Sequence, residues 1–364
     1  MIIVLSAEQA DIKSAVAHVE RAAARFNGIQ TRTFSFAGDE LAFSEVHLIG
    51  QTATVPDSAF EDLPGVHRVV RVSRKYRRIG RHDASDGDLG FTYNGVTFGG
   101  KHVQVLAGLC AVDSRESVRE MMAALQQHGL RTTRMGAYKP RTSPYDFQGL
   151  GADCLPWVFE LAGEHDIGVI SMEVTHARHI DEITTALEHA GNPTGVLLQI
   201  GTRNTQNFEL LKAVGQQPRF PVLFKRGMGI TLEESLNACE YVASEGNARI
   251  LFCLRGVKTH LGDPHRNLVD FAHVPVVRRH TRLSVCIDPS HSVGSLARDP
   301  DGLLDVFTVT GQGVLAGATS VLVDFHPARE RALCDGPQAL ELDELPKLLD
   351  LVARVAELRA SLRS

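Results

Sequence analysis

The chain has 364 residues, of which 43% are hydrophobic and 22% charged, and its formal net charge is −5. This length favours one large domain with a small one, and the composition is that of a folded protein with a sizeable core. The mild negative charge argues against a protein that works on nucleic acid, which needs a basic surface. No apolar run is long enough to cross a membrane and no signal peptide is evident, so no membrane partner is expected.

Six cysteines lie at positions 110, 154, 239, 253, 286 and 334, without CxxC spacing. This pattern is typical of reduced thiols in a cytoplasmic protein rather than of a disulfide framework. Most of these cysteines are expected to be buried packing residues, with Cys110 as the exception.

The order of strand-like and helical segments in residues 1–75 predicts a small α+β domain. Its strands are predicted at residues 1–5, 31–36, 46–50 and 66–72, and its helices at residues 7–26 and 57–63. This order, βαββαβ, is the ferredoxin-like arrangement. Such a domain serves regulation or oligomerisation, and a purely structural cap is an equally open alternative. Residues 76–100 are predicted as a linker and barrel cap, with a hairpin at 93–99.

From residue 103, short apolar runs alternate with amphipathic helical segments. Strands are predicted at 103–107, 132–135, 168–172, 195–200, 221–224, 248–253, 283–287 and 320–324, and helices at 115–128, 155–165, 179–189, 204–213, 231–245 and 301–317. Eight strands with intervening helices predict a (β/α)8 TIM barrel, an α/β fold, as the catalytic domain over residues 101–364. A doubly wound open sheet is the alternative, but no Gly-rich first turn supports it.

Polar residues follow every predicted strand, at the barrel face where such enzymes place their chemistry. Eight cations are expected to converge there: Arg134, Lys139, Arg141, Arg203, Lys225, Arg226, Arg255 and Arg266. Because like charges repel, this clustering predicts anionic ligands, either two phosphorylated molecules or one with a phosphate and a carboxylate. The alternative is that several of these cations pair with nearby acids on a solvated rim.

A second set consists of potential metal ligands. Cys110, His291 and Asp324 end the first, seventh and eighth predicted strands, which are neighbours around a closed barrel, and Asp335 lies in the loop after the eighth. One thiolate, one imidazole and two carboxylates suit several divalent ions, among them manganese, iron, cobalt and zinc. Taken singly, each residue is better explained as a packing or capping residue; together on one face they predict a metal site.

Several motifs resemble those of 3-deoxy-D-arabino-heptulosonate 7-phosphate (DAHP) synthase. The longest is GAYKPRTSPY at residues 136–145, and the others are QIGTRN at 199–204, KRGM at 225–228, DPSHS at 288–292 and DGPQ at 335–338. The resemblance covers essentially the whole chain. It is to the type I beta-like branch, which carries an N-terminal ferredoxin-like domain.

The resemblance implies an enzyme that condenses phosphoenolpyruvate with erythrose 4-phosphate and releases phosphate, at the opening of the shikimate pathway. It also implies a divalent metal ion (Mn²⁺ first, with Fe²⁺, Co²⁺ or Zn²⁺ as alternatives), a homodimer or homotetramer, and an aromatic amino acid as effector. By position, the implied phosphoenolpyruvate ligands are Arg134, Lys139, Arg203, Lys225 and Arg255, the aldose phosphate ligands Arg141 and Thr142, and the metal ligands Cys110, His291, Asp324 and Asp335. The implied catalytic residues are Lys139, as proton donor, with Cys110 and His291.

Some positions depart from the family pattern. Leu109 and Ala111 stand where the family has proline and serine, and Leu254 and Asp324 each stand where it has glutamate. An ordinary synthase is the favoured interpretation, and a specialised paralogue that uses another phosphorylated aldose is the alternative. Arabinose 5-phosphate is disfavoured because KPRTS at 139–143 differs from the pattern of octulosonate-forming enzymes. A catalytically silent, metabolite-sensing homologue is disfavoured because all four metal positions keep side chains able to bind metal.

Overall fold

The computed structural model describes residues 1–6, 11–37, 42–72, 74–83 and 85–362. The chain divides into two compact units, Met1–Gly87 and Asp88–Ser364. All six cysteines lie in the described part, and each is a buried free thiol. Among the described residues, no helix combines the length and the apolar character needed to cross a membrane.

The first unit is a four-stranded antiparallel sheet with two helices. Its elements are β1 (Ile2–Leu5), α1 (Ile12–Ala23), β2 (Gln30–Ala37), β3 (Ala42–Ile49), α2 (Ser58–Glu61) and β4 (Val66–Val70). The strand order β2-β3-β1-β4, with every neighbouring pair antiparallel, is the ferredoxin-like arrangement and confirms the predicted fold of this part. Its core packs sheet residues against the helices: Ile3, Val46, Leu48, Val19 and Phe60.

Two features of this unit refine the predicted elements. The first helix begins later than predicted because the Asp11 carboxylate accepts a hydrogen bond from the Ser14 amide at 3.0 Å and caps it; residues 7–10 of the predicted helix lie outside the described residues. Within the predicted linker, Arg77 donates to the Leu48 carbonyl at 2.6 Å, and the Arg78 guanidinium lies 4.0 Å from the centroid of the Phe34 ring. This part of the linker therefore contacts the sheet.

The second unit begins with a hairpin of β5 (Phe91–Tyr93) and β6 (Val96–Phe98). The turn between them is Asn94-Gly95, with φ of 47° and 76°, and two positive φ angles are what a two-residue hairpin turn of this kind requires. Hairpin side chains, with Phe98 fully buried, share one apolar cluster with residues of the barrel strands.

The rest of the second unit is built on eight parallel strands. They are β7 (Gln104–Leu109), β8 (Thr132–Met135), β9 (Val169–Val174), β10 (Gly195–Ile200), β11 (Val222–Lys225), β12 (Ile250–Leu254), β13 (Ser284–Ile287) and β14 (Ser320–Asp324). Each strand pairs with the next in sequence, and β14 pairs with β7, which closes the barrel. The predicted TIM barrel is confirmed, and the doubly wound sheet is excluded.

Helices connect the strands. They are α3 (Arg115–Gln127), α4 (Leu155–Glu164), α5 (Arg178–His189), α6 (Phe208–Gln216), α7 (Leu232–Ser244), α8 (Val274–His280), α9 (Pro289–Val293), α10 (Asp305–Ala316) and α11 (Leu345–Ser361). The helix predicted at 204–213 begins at Phe208 because the Asn207 side chain accepts a hydrogen bond from the Leu210 amide and caps it. The sequence analysis did not predict α8, α9 and α11.

Candidate active site

A cavity of about 360 Å³ lies where the barrel strands end at their carboxyl side. Eight cations line it: Arg134, Lys139, Arg141, Arg203, Lys225, Arg255, Lys258 and Arg266. Three acids line it as well, Asp146, Glu173 and Asp335. Cations therefore outnumber acids, as an anion-binding site requires, and we call this space the cation cavity.

Three cations of the cavity are almost completely buried. Arg134, Lys225 and Arg255 are 2%, 4% and 3% exposed. Arg134 donates to Asp324, and Lys225 Nζ lies 2.6 Å from an oxygen of Asp288. Arg255 differs, because its Nε and Nη1 have no hydrogen-bond partner among the described residues, and burial lowers its pKa. An anion in the cavity would satisfy these buried donors.

Two other cations of the cavity, Arg141 and Arg203, are more exposed. Arg203 Nη2 donates to the Thr142 hydroxyl at 3.3 Å. Arg141 Nη1 lies 2.6 Å from Cys334 Sγ, and its Nη2 lies 3.4 Å from Asp146. Arg141, Thr142 and Arg203 thus form a second polar cluster on the cavity lining. The cavity therefore offers two groups of donors, as two anionic moieties would need.

The four predicted metal ligands meet beside the cavity. One donor atom from each of Cys110, His291, Asp324 and Asp335 lies within 4.8 Å of the others. Cys110 Sγ is 3.0 Å from Asp335 Oδ2, and His291 Nε2 is 3.6 Å from both atoms. We call these residues the four-donor group. One sulfur, one imidazole nitrogen and two carboxylates at this spacing fit a divalent metal ion.

Two cavity cations also contact the four-donor group. Lys139 Nζ lies 2.6 Å from Cys110 Sγ and 3.0 Å from Asp335 Oδ2, and Arg134 Nη2 lies 3.2 Å from the same sulfur. Burial lowers the pKa of Lys139, but the neighbouring Cys110 and Asp335 outweigh burial and raise that pKa above its usual value. Lys139 is therefore protonated at neutral pH and lies where the cation cavity and the four-donor group adjoin.

His291 is oriented by a buried carboxylate that the sequence analysis left without a role. Asp288 accepts a hydrogen bond from the His291 amide at 3.0 Å, which caps α9, and its oxygens lie 3.0 and 3.1 Å from His291 Nδ1. Although burial lowers it, the pKa of His291 is raised to about 10 by the carboxylates of Asp288 and Asp324. The signal was available, since an aspartate directly before Pro289 is a typical helix N-cap.

Arg226 does not line the cavity, although the sequence analysis grouped it with the other cations. Its Nη1 lies 2.7 Å from Asp270 and 3.0 Å from His273 Nδ1. Asp270 also accepts a hydrogen bond from the Gly256 amide at 2.8 Å. Arg226 is therefore held away from the cavity. The Asp270 carboxylate also fixes Gly256, the residue that follows Arg255.

Two further residues of the cavity were not assigned roles from sequence. Lys258 lines it as an exposed cation, and Glu173 lines it as a carboxylate that accepts a hydrogen bond from Gln199 Nε2 at 3.1 Å. A Cβ at Gly201 would lie 1.9 Å from Glu173 Oε1, so the glycine of the QIGTRN motif leaves the space that this carboxylate occupies. Glu173 lies near the carboxyl end of β9 and Lys258 in the loop after β12, and these positions were the available signal.

Comparisons with known proteins agree with this arrangement. Residues 84–360 match the DAHP synthetase I family. The chain is 36% identical, over 312 residues, to phospho-2-dehydro-3-deoxyheptonate aldolase of Thermotoga maritima, an alignment that covers 86% of this chain and 87% of that protein. The crystal structure of the DAHP synthase of this organism matches 99% of this chain and 97% of that one, with a TM-score of 0.69 and 30% identity.

Relatives named for an octulosonate-forming activity are less similar. The chain is 26% identical to 2-dehydro-3-deoxyphosphooctonate aldolase of Syntrophotalea carbinolica over 265 residues, which cover 70% of this chain and 91% of that protein. A family match over more than half of the chain, together with the similarity to the Thermotoga protein, leads to one conclusion. The chain belongs to the DAHP synthetase I family.

Proposed function

We propose that this chain is the enzyme that condenses phosphoenolpyruvate with erythrose 4-phosphate to give DAHP and phosphate, the first step of the shikimate pathway. The observation that carries the proposal is the cation cavity, in which two donors of Arg255 have no partner among the described residues, adjoining a group of metal-ligand side chains. Two phosphorylated substrates account for the two clusters of cavity donors. The phospho-2-dehydro-3-deoxyheptonate aldolase of Thermotoga maritima is 36% identical to this chain over 312 aligned residues.

The two substrates are assigned to the two donor clusters, except that Arg203 of the second cluster is assigned to phosphoenolpyruvate. The phosphate and carboxylate of phosphoenolpyruvate bind Arg134, Lys139, Arg203, Lys225 and Arg255. The aldose phosphate binds Arg141 and Thr142, whose side chains stand beside Arg203 and Cys334. When both anions are held, the enzyme and its two substrates react as groups that are already oriented toward one another. The cations also neutralise the charge of the phosphate that leaves.

The four-donor group is assigned to a divalent metal ion, with Mn²⁺ as the first candidate and Fe²⁺, Co²⁺ or Zn²⁺ as alternatives. A bound ion supplies Lewis acidity beside the reacting carbonyl. Lys139 adjoins this group through Cys110 Sγ, at 2.6 Å, and keeps its proton at neutral pH. Because of this position, its ammonium is assigned as the donor that gives a proton to the oxygen on which negative charge develops.

Phosphate release tests the proposed function. Phosphoenolpyruvate and Mn²⁺ are incubated with erythrose 4-phosphate or arabinose 5-phosphate in separate reactions, and phosphate and product are measured. We expect phosphate and a seven-carbon 3-deoxy-2-keto acid with erythrose 4-phosphate, and little reaction with arabinose 5-phosphate. If protein that binds Mn²⁺ releases no phosphate with either acceptor, the proposal is refuted, and another aldose or a non-catalytic role takes its place.

Replacing Cys110 with serine tests the metal assignment. A hydroxyl is a much weaker ligand than a thiolate, so we expect Mn²⁺ affinity to fall by at least about tenfold. Equilibrium dialysis with metal analysis measures the effect. Cys239→Ala is the matched control, because Cys239 is a buried cysteine within α7 and should leave Mn²⁺ affinity unchanged. Equal metal content in Cys110→Ser and the unaltered chain would remove Cys110 from the ligand set.

We further propose that the first unit is a regulatory or oligomerisation domain, that an aromatic amino acid inhibits through it, and that the enzyme is a cytoplasmic homodimer or homotetramer. The family match begins at residue 84, so it leaves almost all of the unit Met1–Gly87 outside. This separation supports a function for the first unit that is distinct from the reaction. The buried free thiols support a reducing location.

Deleting residues 1–87 tests the regulatory proposal. We expect the shortened chain to keep its synthase activity and to lose inhibition by tyrosine or phenylalanine, because the cation cavity and the four-donor group lie wholly within the second unit. A solved truncated form of the Thermotoga maritima synthase, which matches 78% of this chain at a TM-score of 0.65, supports the folding of such a shortened protein. Activity measured against inhibitor concentration is the readout, and unaltered inhibition would contradict the proposal.

A further inference from the structure

Asp288 joins the two parts of the active site through one fully buried carboxylate. Its exposure is 0%, and its ion pairs within the described residues are with Lys225 and His291. Oδ2 lies 2.6 Å from Lys225 Nζ and 3.0 Å from His291 Nδ1. Lys225 comes from the end of β11 and His291 from α9, so a single oxygen contacts nitrogens from two separate elements.

The two partners of Asp288 serve different parts of the site. Lys225 lines the cation cavity. His291 presents its other nitrogen, Nε2, to the four-donor group, 3.6 Å from Cys110 Sγ. Because the carboxylate is completely withdrawn from water, no solvent screens the competition between the Lys225 ammonium and the His291 Nδ1 hydrogen for its charge.

We propose that Asp288 is a positioning residue that couples anion binding at Lys225 to metal binding at the four-donor group. An anion in the cavity shares the charge of Lys225 and weakens its hold on the carboxylate. More of the carboxylate charge then acts on the Nδ1 hydrogen of His291, which makes Nε2 a stronger ligand. Phosphoenolpyruvate therefore tightens metal binding, and by reciprocity the metal tightens phosphoenolpyruvate binding by the same factor.

This inference rests on the proposed function, because it needs both the metal and the phosphoenolpyruvate sites. Mn²⁺ binding is measured from the electron paramagnetic resonance signal of free Mn²⁺, with and without saturating phosphoenolpyruvate and with no acceptor present. In the unaltered chain we expect phosphoenolpyruvate to raise Mn²⁺ affinity about tenfold. Absence of Mn²⁺ binding would refute the proposed metal site, whereas Mn²⁺ binding that phosphoenolpyruvate leaves unchanged would refute only the coupling.

Asp288→Asn is the decisive variant. Asparagine keeps the size of the side chain, still caps α9 and still accepts from His291 Nδ1, but it carries no charge for Lys225 and His291 to share. We expect the enhancement by phosphoenolpyruvate to fall to about threefold or less, the part that direct attraction between anion and metal ion supplies. Asp86→Asn is the matched control, since Asp86 is another little-exposed carboxylate that pairs with a cation, Arg68, and belongs to the first unit; it should leave the enhancement unchanged. An undiminished enhancement in Asp288→Asn overturns the inference.

A second variant gives the answer should Asp288→Asn fail to fold. Lys225→Gln removes the competing cation and leaves Asp288 to His291, so Mn²⁺ affinity without any anion is expected to rise about tenfold, toward the value that phosphoenolpyruvate produces. Lys258→Gln removes an exposed cation from the same cavity and should change Mn²⁺ affinity less than about twofold. Equal effects of the two variants, or weaker Mn²⁺ binding in Lys225→Gln, would contradict the coupling.

Discussion

Replacing Lys139 with methionine is expected to lower kcat about a thousandfold, the loss typical of a missing general acid. The Lys139 ammonium lies 2.6 Å from Cys110 Sγ and 3.0 Å from Asp335 Oδ2, so it stands at the junction of the cation cavity and the four-donor group. Methionine keeps most of the apolar stem but has no proton to give. Steady-state kinetics with erythrose 4-phosphate, at saturating concentrations of both substrates, measures the effect.

Two further measurements separate this loss from misfolding. Since Lys139→Met removes a cation from beside Cys110 and Asp335, we expect Mn²⁺ to bind the variant at least as tightly as the unaltered chain. Lys139→Arg keeps the charge but not the proton donor, because an arginine is not deprotonated in proteins; its kcat should stay low. Near-normal kcat in either variant would show that the proton comes from another group.

The fold could be predicted from sequence because the barrel repeats a simple pattern. Each predicted barrel strand overlaps an observed one, as buried β-branched runs between amphipathic helices are typical of parallel strands. Of the missed helices, α8 (Val274–His280) has only seven residues, too few for its pattern to stand out. By contrast, α11 buries Leu345, Leu348 and Val352 at helical spacing, and the sequence contained the signal that predicts it.

The location of the site could also be predicted from sequence, whereas the ion pairs and hydrogen bonds between its side chains could not. Barrel closure brings β14 beside β7, and this neighbourhood places Asp324 close to Cys110 although they are far apart in sequence. No sequence pattern indicates that Arg226 turns to Asp270, or that Asp288 contacts Lys225 at a separation of 63 residues. Such choices depend on side-chain packing between loops, and periodicity carries no information about it.

The departures from the family pattern leave the donors of the site in place. Leu109, Ala111 and Leu254 are all buried, and none of them lines the cavity. Asp324 has a shorter side chain than the glutamate of the family pattern, yet its carboxylate still falls within 4.8 Å of the other three donors. Gln338 Nε2 holds it at 2.5 Å. The observed site therefore agrees with the ordinary activity more closely than with a silent homologue.

Arg255→Met is expected to lower kcat/KM for phosphoenolpyruvate about a thousandfold while leaving the protein as stable as before, or more stable. Arg255 is 3% exposed, and two of its nitrogens have no partner among the described residues. A buried charge with unsatisfied donors destabilises a fold, so an apolar side chain of similar length removes that cost. The same donors are free to bind an anion, and their loss removes a charged contact in a water-poor site.

Opposite changes in activity and stability distinguish a substrate ligand from a structural residue. Thermal unfolding of Arg255→Met in the absence of substrate is expected to give an equal or higher Tm, whereas protection by phosphoenolpyruvate should shrink because less ligand binds the folded state. Arg255→Lys keeps the charge without the planar fork, so it should recover only part of the lost kcat/KM. A lower Tm together with normal kcat/KM in Arg255→Met would mean that Arg255 supports the barrel rather than the substrate.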